Sequence, residues 1–350
     1  MLALGSTLIT QQQQRRFAIP ALFIACIVMF FIALSKGGVT ISISEIIAII
    51  NQTAEDQLKH AIIWQIRLPR IVLAMIVGAG LAACGAAMQA IFRNPLADPG
   101  LIGVSSGAAL GAVATIVLGT SIFANFSDSF GIYAVPVGAF LGCIGVCVFI
   151  YRLSAHSGQF TIISLLLAGI AVNAIVGSLI GVLTLISNDQ QLRDLTFWSM
   201  GSLAGNHFTM MTPTLCIIIA CCIGLLRLAK PLNLYLLGEA QAKHLGINVT
   251  KLKKQVFIYT ALCTGAAVAI TGIIGFVGFI VPHIVRLILG PDHRYLMPAS
   301  ILGGALMLGL ADLFARTVIL PAEVPIGLIT SAIGGPFFLI MLLKTYQQRG

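Results

Sequence analysis

The chain has 350 residues, 58% of them hydrophobic and only 9% charged, with a formal net charge of +9 and a mean hydropathy of +1.02. A water-soluble domain of this length cannot cover itself with so few charges, so the composition excludes one and points to a polytopic membrane protein. At about 20 apolar residues per span there is room for about ten spans and none for a separate soluble domain, so residues 1–350 read as one transmembrane domain.

The chain opens on MLALGSTLITQQQQRRFAIP, where Arg15 and Arg16 precede an apolar run and no convincing small-residue cleavage site follows. This reads as a retained first span rather than a signal peptide. Ten apolar stretches follow from hydropathy: 17–35, 70–92, 101–120, 131–151, 161–186, 212–229, 256–274, 276–290, 299–317 and 326–344. The eighth is short and reads as a broken or tilted span. An even count puts both termini on one side, and Arg15–Arg16 with Lys344 and Arg349 make that side the cytoplasm. Fourteen of the twenty Lys and Arg then fall inside; the six outside are Lys36, Lys59, Arg67, Arg70, Arg193 and Arg316. Arg67 and Arg70, flanking Pro69 at the mouth of the second span, run against the positive-inside rule and need another reason.

Between the second and third spans, FRNPLADPGLIGVSSGAALG (92–111) carries Pro95 and Pro99, which forbid a continuous helix. Asn94 and Asp98 are suited to hydrogen-bond the freed backbone. Small residues recur at helical spacing: Gly177 and Gly181 in the fifth span, Ala305 and Gly309 in the ninth. Such seams serve close packing or a pathway. Gly78-Ala79-x-Leu81-Ala82-x-x-Gly85 in the second span is echoed by Gly265-Ala266-x-Val268-Ala269-x-x-Gly272 in the seventh. The two spans run in opposite directions, the signature of an inverted repeat.

The longest basic loop is 230–254, KPLNLYLLGEAQAKHLGINVTKLKK, with a short helix-like segment GEAQAKHLG. No Lys in the chain follows a Gly, so a phosphate-binding P-loop is absent. If ATP drives this protein, another subunit binds it, and this loop is where that subunit docks. Within the spans Asp312 is the clearest charge, four residues before Arg316 on the same helix face, which predicts a local ion pair. No relay of Asp, Glu or His runs through the spans. The six His show no metal-ligand spacing, and the eight Cys all sit inside apolar runs as plain thiols. No metal site, bound cofactor or catalytic constellation is expected.

Three stretches taken together resemble the FecCD-type permeases, the membrane subunits of ABC importers for ferric siderophores, haem and cobalamin. They are RLPR…GAGLAACGAAMQAIFRNPLADPGLIGVSSGA, FVGFIVPHIVRLILGPDHRYLMP and ADLFART…PAEVPIGLITSAIGGPFFLIMLLK, in the family's order from about residue 60 to 345. The resemblance implies an all-α, type II importer permease fold of about ten transmembrane helices in the bacterial inner membrane. It implies a transport subunit that is not an enzyme, with ATP used by a partner. The implied partners are a second copy of the chain, two cytoplasmic ATPase subunits and one extracytoplasmic substrate-binding protein, in membrane lipid and without nucleic acid.

The resemblance also implies roles. Gly238, Glu239, Ala242, Leu245 and Gly246 match the family's ATPase-coupling segment. Arg67, Arg70 and Arg316 match arginines that meet acidic residues of the binding protein. The fifth and tenth spans line the pathway, with Asn173, Gly334 and Gly335 as liners and SAHSGQF (154–160) near an inner gate. Asn94, Pro95, Asp98 and Pro99 fix an inner loop against the cytoplasmic machinery. The residues also leave open an ion-coupled secondary transporter, for which Asp312 is the one visible site. An intramembrane enzyme finds no catalytic constellation.

Overall fold

A computed structural model of the chain describes residues 2–51, 56–155 and 161–347, and among them every regular element is helical. Apolar side chains leave a helix as the element that satisfies its own backbone in a bilayer. In chain order the helices are α1 Leu2–Ser35, α2 Ile43–Ile50, α3 Gln57–Ala61, α4 Leu68–Phe92, α5 Val104–Leu118, α6 Ala124–Phe130, α7 Ala134–Ser154 and α8 Ile162–Leu185. They continue with α9 Asp189–Met200, α10 Phe208–Arg227, α11 Ala229–Leu236, α12 Glu239–His244, α13 Val249–Thr271, α14 Val277–Leu289, α15 His293–Ala315 and α16 Ile326–Gln347. Eight helical stretches are long and apolar enough to cross a membrane, and α5 and α14 are shorter apolar helices, so the ten expected spans are all present as helices. Of the segment 154–160, residues 156–160 lie outside the described residues.

The central helix is α4, buried along nearly its whole length. It meets α15 where Gly78 faces Gly304, and neither position has room for a Cβ. It meets α14 where Gly85 faces Gly278, again backbone on backbone. Small residues are what allow such approach, because lipid-immersed helices gain little from burying apolar surface.

The two short helices have one explanation. Arg93 ends α4 in the left-handed region (φ 48°), and Gly103 (φ 80°) precedes α5. Between them Pro99 lies against Gly278, which in turn packs on Gly85. Gly85 stands seven residues before the end of α4, so the connection folds back about 10 Å along it. Helix α5 therefore starts inside the bundle and needs only 15 residues. The same pattern recurs downstream: Gly272 (φ 69°) ends α13, Phe276 (φ 67°) precedes α14, and α14 has 13 residues. Packing repeats as well, with Gly78 of α4 against α15 and Gly265 of α13 against Cys143 of α7. The echoed segments 78–85 and 265–272 differ in placement, however: Gly85 lies inside α4 against Gly278, whereas Gly272 caps the end of α13 beside Trp198.

Candidate functional site

Two polar clusters stand at opposite ends of the bundle, and a set of small residues lies between them. The first cluster begins with a defect in a helix. Pro69 has no N–H to donate, and the turn before it, Ile62–Arg67, widens into a π-helix in which Leu68 N–H reaches the Ile63 carbonyl. This turn brings Arg67 and Arg70 inward. Arg67 donates to the carbonyls of Leu34 (2.5 Å), Ser35 (3.1 Å) and Val39. Arg316 donates to the carbonyl of Ala33. The last turn of α1 leaves its carbonyls without intrahelical partners, and these guanidiniums supply them.

Arg70 donates Nε–H to Asp312 Oδ1 and Nη1–H to Glu323 Oε2, both at 2.7 Å. Arg316 Nε lies 3.7 Å from Asp312 Oδ2. The sequence spacing predicts Arg316 as the partner of Asp312; the structure makes Arg70 the nearer one, because helix contact across α4 and α15 outranks separation along one helix. The three arginines expected to face a docking partner do come together, but as buried groups, 4%, 7% and 6% exposed for Arg67, Arg70 and Arg316. With Glu323 they line a depression of about 410 Å³. Glu323 is a member of this cluster that sequence reasoning missed; it sits in a loop with no periodic signal.

The predicted inner loop has the expected bonding. Asn94 Oδ1 accepts from Leu96 N–H (2.9 Å) and Asp98 Oδ1 from Gly100 N–H (2.7 Å). Pro99 opens a 3₁₀ turn, Pro99–Ile102, and is buried, while Pro95 is exposed. The pathway candidates separate. Asn173 on α8 accepts from Ser106 Oγ at 2.5 Å, which ties it to the start of α5. Gly334 on α16 is covered by the Phe276 ring, whereas Gly335 has open space beside it. Gly177 and Gly181 on α8 also face open space, with no side chain of the described residues against them. Ala305 is buried and Gly309 is covered by Met29 of α1.

The second cluster holds the segment 238–246. Gly238 (φ 130°) precedes α12. Gly246 (φ 83°) follows it, with Gly246 N–H bonded to the Lys243 carbonyl (3.0 Å) and Ile247 N–H to the Ala242 carbonyl (2.9 Å). This is the Schellman closure that a left-handed glycine permits. Ala242 is fully buried beneath the helix, while Leu245 and Leu237 are exposed. Glu239 does not face away from the bundle. Its Oε1 accepts from Lys253 Nζ of α13 (2.7 Å) and from Tyr235 Oη of α11 (3.0 Å). Burial disfavours its charge, but the bonds from Lys253 and Tyr235 prevail and hold the carboxyl below its ordinary range. Tyr235, fully buried, lies under the Arg93 guanidinium (4.6 Å), and its carbonyl accepts from Arg93 Nη2 (2.7 Å). One joint therefore fastens α12 to α4 and α13. Beside it Asn233 of α11 bonds Asp292 (2.6 Å) and the His293 N–H (2.8 Å) at the head of α15. Asn233, Tyr235 and Lys253 fall in the basic stretch 230–254 and Arg93 in the loop 92–111, but no spacing in the sequence joins them to Glu239.

Among the described residues, ten apolar helices, the close-packed α4 and nine others, two of them short, define a polytopic transport permease. Residues 25–344 match the FecCD transport family. The chain belongs to that family, and is a transport protein rather than an enzyme. It is 44% identical over 96% of its length to the hemin transport system permease protein HmuU of Yersinia pestis, covering 98% of that protein. It is 41% identical over 81% of its length to the cobalamin import system permease protein BtuC of Halobacterium salinarum, covering 73% of it. Among solved structures it is similar to an inward-facing metal-chelate type ABC transporter, with TM-score 0.82 and 32% identity, over 93% of this chain and 98% of that one.

Proposed function

We propose that this chain carries haem, or a ferric siderophore of similar size, inward across a bacterial inner membrane as the permease half of an ATP-driven importer. Cobalamin is the other cargo that the family's members suggest. The observation that carries the reading is the joint under α12. A short capped helix with exposed Leu237 and Leu245 is fastened through Glu239, Tyr235 and Lys253 to two long helices. That is what a chain without its own nucleotide site needs in order to receive motion from an ATPase. The likeness to a hemin permease over nearly the full length of both chains supports haem.

In this reading the α12 end and both termini are cytoplasmic, in keeping with the excess of Lys and Arg there. Two copies pair through α8 and α16, whose glycines Gly177, Gly181 and Gly335 face open space. The pathway then runs between them past Asn173. The Asp312 end receives the binding protein, whose acidic side chains approach Arg67, Arg70 and Arg316 through the depression that those residues line. Bidentate carboxylate geometry suits arginine there. An ion-coupled mechanism finds no support at Asp312, which two arginines flank.

The test is uptake into proteoliposomes that hold this chain with its ATPase and binding protein. The expected result is haem accumulation that requires all three and ATP. Accumulation by this chain alone, driven by an ion gradient, would overturn the reading.

A further inference from the structure

Helix α1 closes on α15 toward its Ser35 end. There Cys26 Sγ donates to the Leu302 carbonyl (3.3 Å), and Met29 covers Gly309. Toward Arg15 it stands away from α14. The gap is a groove of about 600 Å³ between α1, α14 and α15, with an almost wholly apolar lining. Ala18, Ala21 and Ala25 carve it from the α1 side, facing Val285 and Ile288 of α14 and Leu306 of α15. Three of the four residues on the α1 wall are alanines, Leu22 being the fourth, so that wall is low and leaves a slot open to an alkyl chain.

The groove ends at Leu289, and there the chemistry changes. The Leu289 carbonyl accepts from Arg15 Nε (2.8 Å), and the Arg15 guanidinium lies 5.1 Å from the Tyr295 ring centre. That carbonyl is the last of α14, so it prefers a cation beside it. Both terminal nitrogens of Arg15 stay clear of any hydrogen bond among the described residues. Arg16 is exposed and has no ion pair there. Asp292, three residues past Leu289, is engaged by Arg294 (2.6 Å) and Asn233 (2.6 Å). The apolar stretch Arg15–Ser35 has 21 residues, about 31 Å of helix, which matches the hydrocarbon thickness and sets Arg15 at the headgroup level.

We propose that the groove is a binding site for one anionic phospholipid, its acyl chain between α1 and α14 and its phosphate on Arg15 and Arg16. The lipid fills the gap that the alanines leave and closes α1 onto the α14–α15 turn. That turn carries the Asp292–His293 contact to α11, so the lipid borders the path from α12 to α15.

The experiment is native mass spectrometry of the purified protein with phosphatidylglycerol or phosphatidylcholine of the same acyl chains. Phosphatidylglycerol should be retained with about a thirtyfold preference, the scale expected of two arginines at a membrane surface. Arg15→Gln with Arg16→Gln should abolish the preference while leaving weak binding of both lipids. Ala21→Phe, which fills the slot and keeps both arginines, should reduce retention of both. A photoactivatable phosphatidylglycerol on the unaltered protein should label the peptides spanning 15–25 and 281–289. Equal retention of the two lipids by the unaltered protein, a preference unchanged by the arginine pair, or labelling confined to other helices would each overturn the site.

Discussion

Arg70 of α4 and Asp312 of α15 stand 242 residues apart and meet at 2.7 Å inside the bundle. Neither is accessible: their side chains are 9% and 2% exposed. Removing one partner leaves the other only its second contact, Glu323 for Arg70 (2.7 Å) and Arg316 for Asp312 (3.7 Å), so the cost is at most the about 3–5 kcal/mol of a stranded buried charge. Asp312→Asn and Arg70→Gln alone should each lower the folded yield and the midpoint of thermal unfolding followed by size exclusion. The double variant should lose less than the sum of the two, with an interaction above about 1 kcal/mol in a double-mutant cycle. Additive losses would show that the pair is not a unit.

Glu323 gives a cleaner probe of docking than the arginines do. It is half exposed, and its carboxylate occupies the Arg70 Nη1 that an incoming acidic side chain would use. Glu323→Gln should free that group and raise the affinity for the binding protein a few-fold, with a steeper salt dependence, since rim charges act mostly on encounter. Arg67→Glu and Arg70→Glu set an acid against carbonyls or against Asp312, so these variants should fail by misfolding before docking is read. A Glu323→Gln protein with unchanged or weaker affinity would argue against the depression as the docking surface.

This difference shows what the sequence carried and what it did not. Spans were legible because twenty apolar residues in a row have one fate, and Gly246 was legible because a helix stop needs a left-handed residue. The short eighth span was legible too. The matching shortness of α5 was not, since 101–120 reads as one apolar run and only the return of Pro99 onto Gly278 reveals where the helix starts. The helices of the connections, α2, α3, α6 and α9, went unread because hydropathy searches for spans. Partners across the bundle were the least legible. Asp312 has Arg316 at helical spacing, and no periodicity points to Arg70. For the same reason Glu239 was legible as part of a coupling motif, but the inward direction of its side chain was not.

That direction makes a prediction. If Glu239 and Lys253 transmit force, the contact matters more than either residue. Glu239→Lys should leave assembly with the ATPase and ATP hydrolysis near normal but cut substrate uptake per ATP about tenfold, and Lys253→Glu should do likewise. The exchanged pair, Glu239→Lys with Lys253→Glu, should recover most of the coupling. A purely structural contact would instead lower assembly and uptake together. The pH dependence follows from the carboxyl. Its folded-state pKa is depressed below the ordinary 4.5, so its contribution is present above 4.5 and is lost as pH falls through the lowered value. Coupling should therefore be flat from about pH 8 to pH 5, and a decline above pH 5 would implicate another group.

Gly246 isolates the backbone from packing. A Cβ at this position meets nothing within 4 Å, yet φ is +83°. The cost of a side chain there is conformational, about 1–2 kcal/mol for an ordinary residue and less for Asn, which visits the left-handed region readily. Val adds β-branching, the least compatible choice. Gly246→Val should thus unwind the end of α12, expose Ala242 and release Leu245 from its place, while the spans remain folded because the change lies outside them. The readouts are retention of the ATPase on an affinity column and ATP-driven uptake, each expected to fall at least several-fold, beside an unchanged thermal midpoint for the isolated permease. Gly246→Asn should keep most of both. If Val and Asn behaved alike, the left-handed closure of α12 would have no part in holding the ATPase.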